Sequence, residues 1–170
     1  MTKEFLETKN IFDLIDIIQQ RMAMFIPEKS IMSLINYLNG YETCLKLHGI
    51  IEEEVPNFTH FNRWLGIRFE HWNHLSNGWA YAIKVNIGDN EDPLSKFFSL
   101  IKEFRKLHPE TINSINLNEK QKQTIKEIHV IKYDPEGLFF LRIYCNGKHM
   151  DDKELFRTLE EAQNWAEEKY

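Results

Sequence analysis

The apolar residues of this chain change their period once, close to residue 109. Before that point they recur three and four positions apart, as on one face of a helix. After about residue 123 they alternate, as on one face of a strand. No single kind of element satisfies both patterns. The chain therefore reads as α+β: a mainly helical N-terminal region of about five helices, then a β-hairpin and a C-terminal helix. The stretch between, "HPETINSINLNEKQKQ", is polar, and Pro109 breaks the preceding helix. It reads as a linker over 109–122, between a helical region at 1–108 and a strand–turn–strand–helix unit at 123–170. At 170 residues the whole is expected to pack as one compact domain.

Within the helical region, Ile11, Leu14, Ile15 and Ile18 share one face of a helix over 5–20, with Asp13 and Asp16 turned away. Pro27 disfavours helix at Ile26. A second helix over 28–48 carries Ile31, Leu34, Ile35, Leu38, Tyr41, Leu45 and His48 at helical spacings, and Gly49 suits its C-terminal stop. Gly40 interrupts it, and a glycine there suggests close approach of another element. Asn57 or Thr59 suits the cap of a short aromatic helix over 59–70. Residues 79–87, "WAYAIKVNI", alternate as a strand would, yet Trp79, Ala82, Ile83 and Ile87 also form a helical stripe. They are read as helix because their flanks are helical. Asp92 then caps a helix over 93–108 with Pro93 at its first position, and Leu94, Phe97, Phe98, Ile101, Phe104 and Arg105 make its stripe.

In the C-terminal unit "TIKEIHVIKY" and "LFFLRIYC" have strand composition and are separated by the turn "DPEG". The dipeptide "NG" at 146–147 turns the chain again. "HMDDKE" (149–154) follows and reads as a solvated acidic turn. Thr158 and Glu161 form a capping box for a last helix, with Ala162, Trp165 and Ala166 facing inward.

Charge and cysteine usage narrow the function classes. The net charge is −5, and neither half is basic: 12 Lys and Arg against 14 Asp and Glu before residue 109, and 9 against 12 after it. Nucleic-acid affinity comes mostly from neutralising phosphates, so this balance argues against a nucleic-acid binder and favours a basic partner surface. Cys44 and Cys145 make no metal or redox spacing and read as free thiols in a reducing compartment. Cys44 falls on the apolar stripe of its helix. The N-terminus lacks the pattern of a signal peptide, and no apolar run approaches the roughly 20 residues of a membrane span. The expected location is cytoplasmic, with no membrane partner.

The densest chemistry lies in "RFEHWNHLSNGW" (68–79). His71 and His74 are one helical turn apart and Glu70 is adjacent, so a small metal-dependent hydrolase centred on these three is the alternative reading. HExxH is absent, and no third ligand stands at a recognised offset. The stretch reads more simply as the corner between two helices. No GxSxG and no glycine-rich phosphate loop occur, so no catalytic, cofactor or metal residues are assigned. Partner contacts are assigned instead to the acidic triplet Glu52, Glu53 and Glu54, and to Trp64, His71 and Trp72, because aromatic side chains dominate interface hot spots. An exposed apolar helix face would also permit a homodimer.

Some of these residues form a recognisable series. Arg21, Met24, Phe25, Ser30, Leu34, Leu38, Gly40 and Tyr41 are followed by Phe61 and Trp64, by Gly78 and Trp79, and by "FFSLIKEF" at 97–104. Over residues 21–108 this series resembles a family of small bacterial cytoplasmic proteins encoded beside polymorphic toxins. Met22 departs from the pattern, in which proline often follows the leading arginine. The resemblance implies helix rather than strand at 79–87. It also implies an immunity-type role: a non-enzymatic protein-binding module that occludes a partner toxin.

Overall fold

The computed structural model describes residues 9–50, 56–70, 78–116 and 126–169. The chain is α+β, as its periodicity predicts. It divides into two compact units, residues 1–53 with 65–105, and residues 54–64 with 106–170. The first is helical. The second is built on a sheet, and it claims the stretch 54–64 although the chain on both sides belongs to the helical unit.

In the helical unit, α1 (Ile11–Gln20) starts later than its apolar pattern suggests. Asn10 caps it, accepting hydrogen bonds from the N–H groups of Phe12 and Asp13 at 2.9 and 3.1 Å. Residues 5–8 of the expected helix lie outside the described residues. A single turn, α2 (Met22–Phe25), follows, then α3 (Ile31–His48), whose C-cap Gly49 takes the left-handed φ of +63° that glycine adopts without cost. The division between the units falls inside α4 (Phe61–Arg68), after Trp64. The ambiguous stretch is helical over 79–85, in α5 (Gly78–Val85), while Asn86 and Ile87 form a bend after it. Asp92 caps α6 (Pro93–Phe104), accepting from the N–H groups of Leu94 and Ser95. The core of this unit is apolar: Phe12 against Phe104, and Trp79 against Phe97 with ring centroids 4.7 Å apart.

Two features of α3 differ from expectation. Of its long stripe only Ile31, Leu34 and Leu38 are buried, while Cys44 is exposed rather than inside. At Gly40, an added Cβ would meet nothing within 4 Å, so this glycine accommodates no close neighbour among the described residues.

Of the expected linker at 109–122, residues 109–116 are strand, and residues 117–122 lie outside the described residues. Residues 108–116 form the strand β1 (His108–Asn116), at one edge of an antiparallel sheet with β2 (Lys126–Asp134), β3 (Leu138–Cys145) and β4 (Lys148–Phe156), in the order β1-β2-β3-β4. An edge strand pairs through its backbone on one side only and packs little side chain, so polar composition does not prevent it. Glu110, Thr111, Asn113 and Ser114 are all exposed, and a bulge between Thr111 and Asn113 interrupts the ladder. The β2–β3 hairpin turns through "PEG" as predicted. The β3–β4 hairpin uses Asn146 and Gly147 with φ of +51° and +74°, the conformation a two-residue Asn-Gly turn requires. The helix α7 (Leu159–Lys169) closes the chain behind the predicted capping box: Glu161 N–H donates to Thr158 Oγ1 at 3.1 Å, and Thr158 N–H to Glu161 Oε2 at 3.3 Å.

The sheet of this unit is covered on both faces. On one, Ile128, Val130 and Leu141 pack with Ala162 and Ala166 of α7. The other carries Tyr133, Phe140 and Arg142. It receives the 3₁₀ turn Phe58–His60, whose His60 ring lies 4.8 Å from Phe140 and 5.8 Å from Tyr133. Among the described residues no helix is long and apolar enough to cross a membrane.

Candidate functional site: a buried polar cluster on the sheet

The stretch expected to be a solvated acidic turn is strand β4, and it brings a carboxylate into the interior. Asp152 is paired with Arg142 across the β3–β4 ladder. Arg142 donates from Nε and Nη2 to the two carboxylate oxygens at 2.8 and 3.0 Å, a bidentate bond. His149 Nε2 lies 2.9 Å from the same carboxylate, and Asn57 Nδ2 donates to it at 3.1 Å. The side chains of Arg142, Asp152 and His149 are only 7%, 1% and 3% exposed.

The inward residues of β4 sit three apart, which is why alternation does not reveal them. Tyr144 faces His149, Arg142 faces Asp152, and Phe140 faces Leu155; the register shifts between Phe140 and Leu141 and again between Ile143 and Tyr144. Each bulge adds a residue to β4 and moves its next inward position from two to three. The available signal was the Asn-Gly turn, since a two-residue hairpin turn requires a returning strand.

Asn57 joins this ion pair to a second group. Its side-chain oxygen caps the 3₁₀ turn by accepting from Thr59 N–H at 3.0 Å. Its own backbone N–H donates to the Tyr133 hydroxyl at 2.9 Å. That hydroxyl is 3.0 Å from His60 Nδ1. With the phenol accepting from Asn57 and donating to Nδ1, the neutral imidazole carries its proton on Nε2. That atom is buried and has no hydrogen-bond partner among the described residues.

Burial sets the protonation states, and the partners decide where it is overruled. For Asp152 burial is the largest influence and raises the pKa, but the hydrogen bonds and charge of Arg142, with Asn57 and His149, outweigh it and hold the carboxyl below its usual value. Burial also works against the Arg142 charge, and the Asp152 carboxylate more than restores it. Tyr133 is pushed well above the ordinary phenol value, chiefly by burial, so it stays a neutral donor. His60 is brought down to about 4, again chiefly by burial, with Arg142 acting in the same direction and Asp152 and Asp151 opposing. The cluster thus holds one compensated ion pair and one imidazole kept neutral. Chemically it fixes the β3–β4 hairpin and the 56–60 segment to one another.

The residues assigned to partner binding are placed differently. Trp64 is fully buried and donates from Nε1 to Glu136 Oε2 at 2.7 Å, so it belongs to the core of the sheet unit and is no surface anchor. Glu52, Glu53, Glu54, His71 and Trp72 lie outside the described residues, as does His74 of the alternative metal reading. Glu70 is exposed with a left-handed φ of +55°. Among the described residues no three His, Cys, Asp or Glu side chains converge as a metal site would require. The cluster of Asn57, His60, Tyr133, Arg142, His149 and Asp152 was not anticipated from the sequence. Comparison with protein-family models, with curated proteins and with solved structures finds no match to this chain.

Proposed function

We propose that this chain is a non-enzymatic protein-binding module of the immunity type, acting in the cytoplasm by covering the functional site of a toxin with a basic surface. The observation that carries this reading is the far end of α3. Beyond Leu38 the helix buries nothing fully; Leu47 in its last turn is 80% exposed, and Ile50, just past the Gly49 cap, is 54% exposed. Apolar side chains held out in this way cost free energy in water and gain it under a partner. The sequence continues directly into Glu52, Glu53 and Glu54, which supply the charge a basic partner would meet. The resemblance over residues 21–108 supports the same role.

The test is co-expression with the product of the neighbouring gene, reading growth rescue and complex formation by light scattering. Rescue and a stable complex are expected. Leu47→Asp should weaken it through a faster dissociation rate. Replacing all three glutamates by lysine should slow association and reduce the salt dependence. No complex and no rescue would remove the immunity reading. Full binding by the Leu47→Asp and Ile50→Asp double variant would remove this surface.

A further inference from the structure

The stretch 54–64 belongs to the sheet unit, although the chain before it and after it belongs to the helical unit. Phe58, Phe61 and Trp64 are buried, and Arg63 Nε donates to the Leu155 carbonyl of β4 at 3.4 Å. Asn57 donates to Tyr133 and Asp152, His60 meets the Tyr133 hydroxyl, and Trp64 donates to Glu136. His60 is the weak member. Its ring lies 4.8 Å from Phe140, tilted by 58°, and its Nε2 has no partner among the described residues. A second proton on this imidazole would go to Nδ1, taking away the lone pair that accepts from the Tyr133 hydroxyl and leaving a cation in a site 5% exposed.

We propose that residues 56–64 are an acid-released latch, held on the sheet while His60 is neutral and freed when His60 takes up a proton. The release is a proton-driven exchange of partners. Neutral His60 accepts from the Tyr133 hydroxyl inside; protonated His60 satisfies both N–H groups only in water. Every charged or titratable group facing the ring enters the balance. Tyr133 from β2 stays neutral, Arg142 from β3 repels the new charge, and Asp151 and Asp152 from β4 attract it. Asp152 has its hydrogen bonds committed to Arg142, His149 and Asn57, and its attraction for a charged His60 only partly offsets burial. The depressed His60 value of about 4 is what this imbalance produces. The hold on the segment then weakens as pH falls below the free-imidazole value near 6.5, and the weakening is complete near 4. The Asp152 carboxylate, whose own value lies below 3.8, still holds the hairpin together over that window.

The test is amide hydrogen exchange on the full chain at a series of pH values, corrected for the intrinsic dependence of exchange on pH. Opening of amides 57–64 should rise on the order of 100-fold between pH 7 and pH 4, while β2 and β3 amides stay protected. His60→Gln, which retains an acceptor for Tyr133 but cannot gain a charge, should lose that rise. Flat opening of the segment overturns the latch. So does loss of protection in β2 and β3 in step with the segment, which is global acid unfolding. So does an unchanged acid response in His60→Gln. If the variant does not fold, the ring titration of His60 in the native chain decides. A midpoint tracking the opening of the segment supports the latch; an ordinary midpoint near 6.5 with no opening sinks it.

Discussion

The helical unit and the sheet unit solve the problem of burial in different ways. In α1, α3, α5 and α6 the buried side chains are apolar, and the charged ones pair at the surface, as Arg105 does with Asp16 at 2.5 Å with both side chains more than a third exposed. In the sheet unit lie the buried residues His60, Arg142 and His149, together with the buried carboxylate of Asp152. An apolar interior tolerates loss of a surface charge, because water takes over the partner that remains. A buried ion pair does not, because the partner left behind has no solvent to turn to. The same contrast predicts that mild acid weakens the sheet unit more than the helical one.

The sharpest way to break this comparison is to remove one carboxylate from each unit. Asp152→Ala strands the Arg142 guanidinium inside and should destabilise the sheet unit by about 3–5 kcal/mol. Asp16→Ala, at the surface, should cost no more than about 1 kcal/mol. Denaturant unfolding with hydrogen exchange assigns each loss to its unit; equal losses would show that the buried pair is not the determinant described above.

Acid gives the next largest effect. A His60 value of about 4 in the fold against 6.5 in the unfolded chain means that the unfolded chain binds the proton more readily. The stability His60 contributes is therefore complete above pH 6.5. It falls as pH drops toward 4, by roughly 3 kcal/mol in all. Asp152 adds its own loss only below its unfolded value of 3.8, as pH falls through its lowered folded value. Unfolding measured at pH 7, 5.5 and 4 should show the first loss in native protein and not in His60→Gln. An identical pH slope in the two proteins would remove His60 as its source.

Two smaller effects belong to the helical unit. Asp92→Ala removes the cap of α6 and should cost about 1 kcal/mol, whereas Asp92→Asn should recover most of it. Gly40→Ala should do the opposite. The position is exposed, mid-helix and open around its added Cβ, so the substitution should stabilise α3 by about 0.5–1 kcal/mol, read as a rise in Tm. Destabilisation would mean that Gly40 serves an approach made outside the described residues.

Legibility in the sequence follows the same line between the units. The stripe of α6, the caps Asp92 and Thr158, the stop at Gly49 and the Asn-Gly turn are local: each is decided within one or two turns of chain. The α5 segment was legible only as a choice between two patterns, since eight residues of mixed periodicity fit both. β1 and β4 were not legible. One is a polar edge strand, and the other has its inward period stretched to three by bulges that its partner strand imposes. Trp64 illustrates the limit for function: its type suggests an interface anchor, but only its packed environment tells that Glu136 has claimed it.

What the sequence determines alone is therefore the class of the fold, the helices with strong stripes, their caps and the hairpin turns, because neighbours along the chain supply the energy for each. Only the tertiary structure decides that Asn57 and His60 lie on the sheet, that a lysine- and aspartate-rich strand turns Asp152 inward, and that one imidazole is left with an unpartnered nitrogen. The placing of Asn57 and His60 depends on contacts between residues 73 to 95 positions apart, and the inward turn of Asp152 on bulges in the β3–β4 ladder. Chain connectivity says nothing about such pairs, and the dielectric that sets their energies exists only after the chain has closed around them.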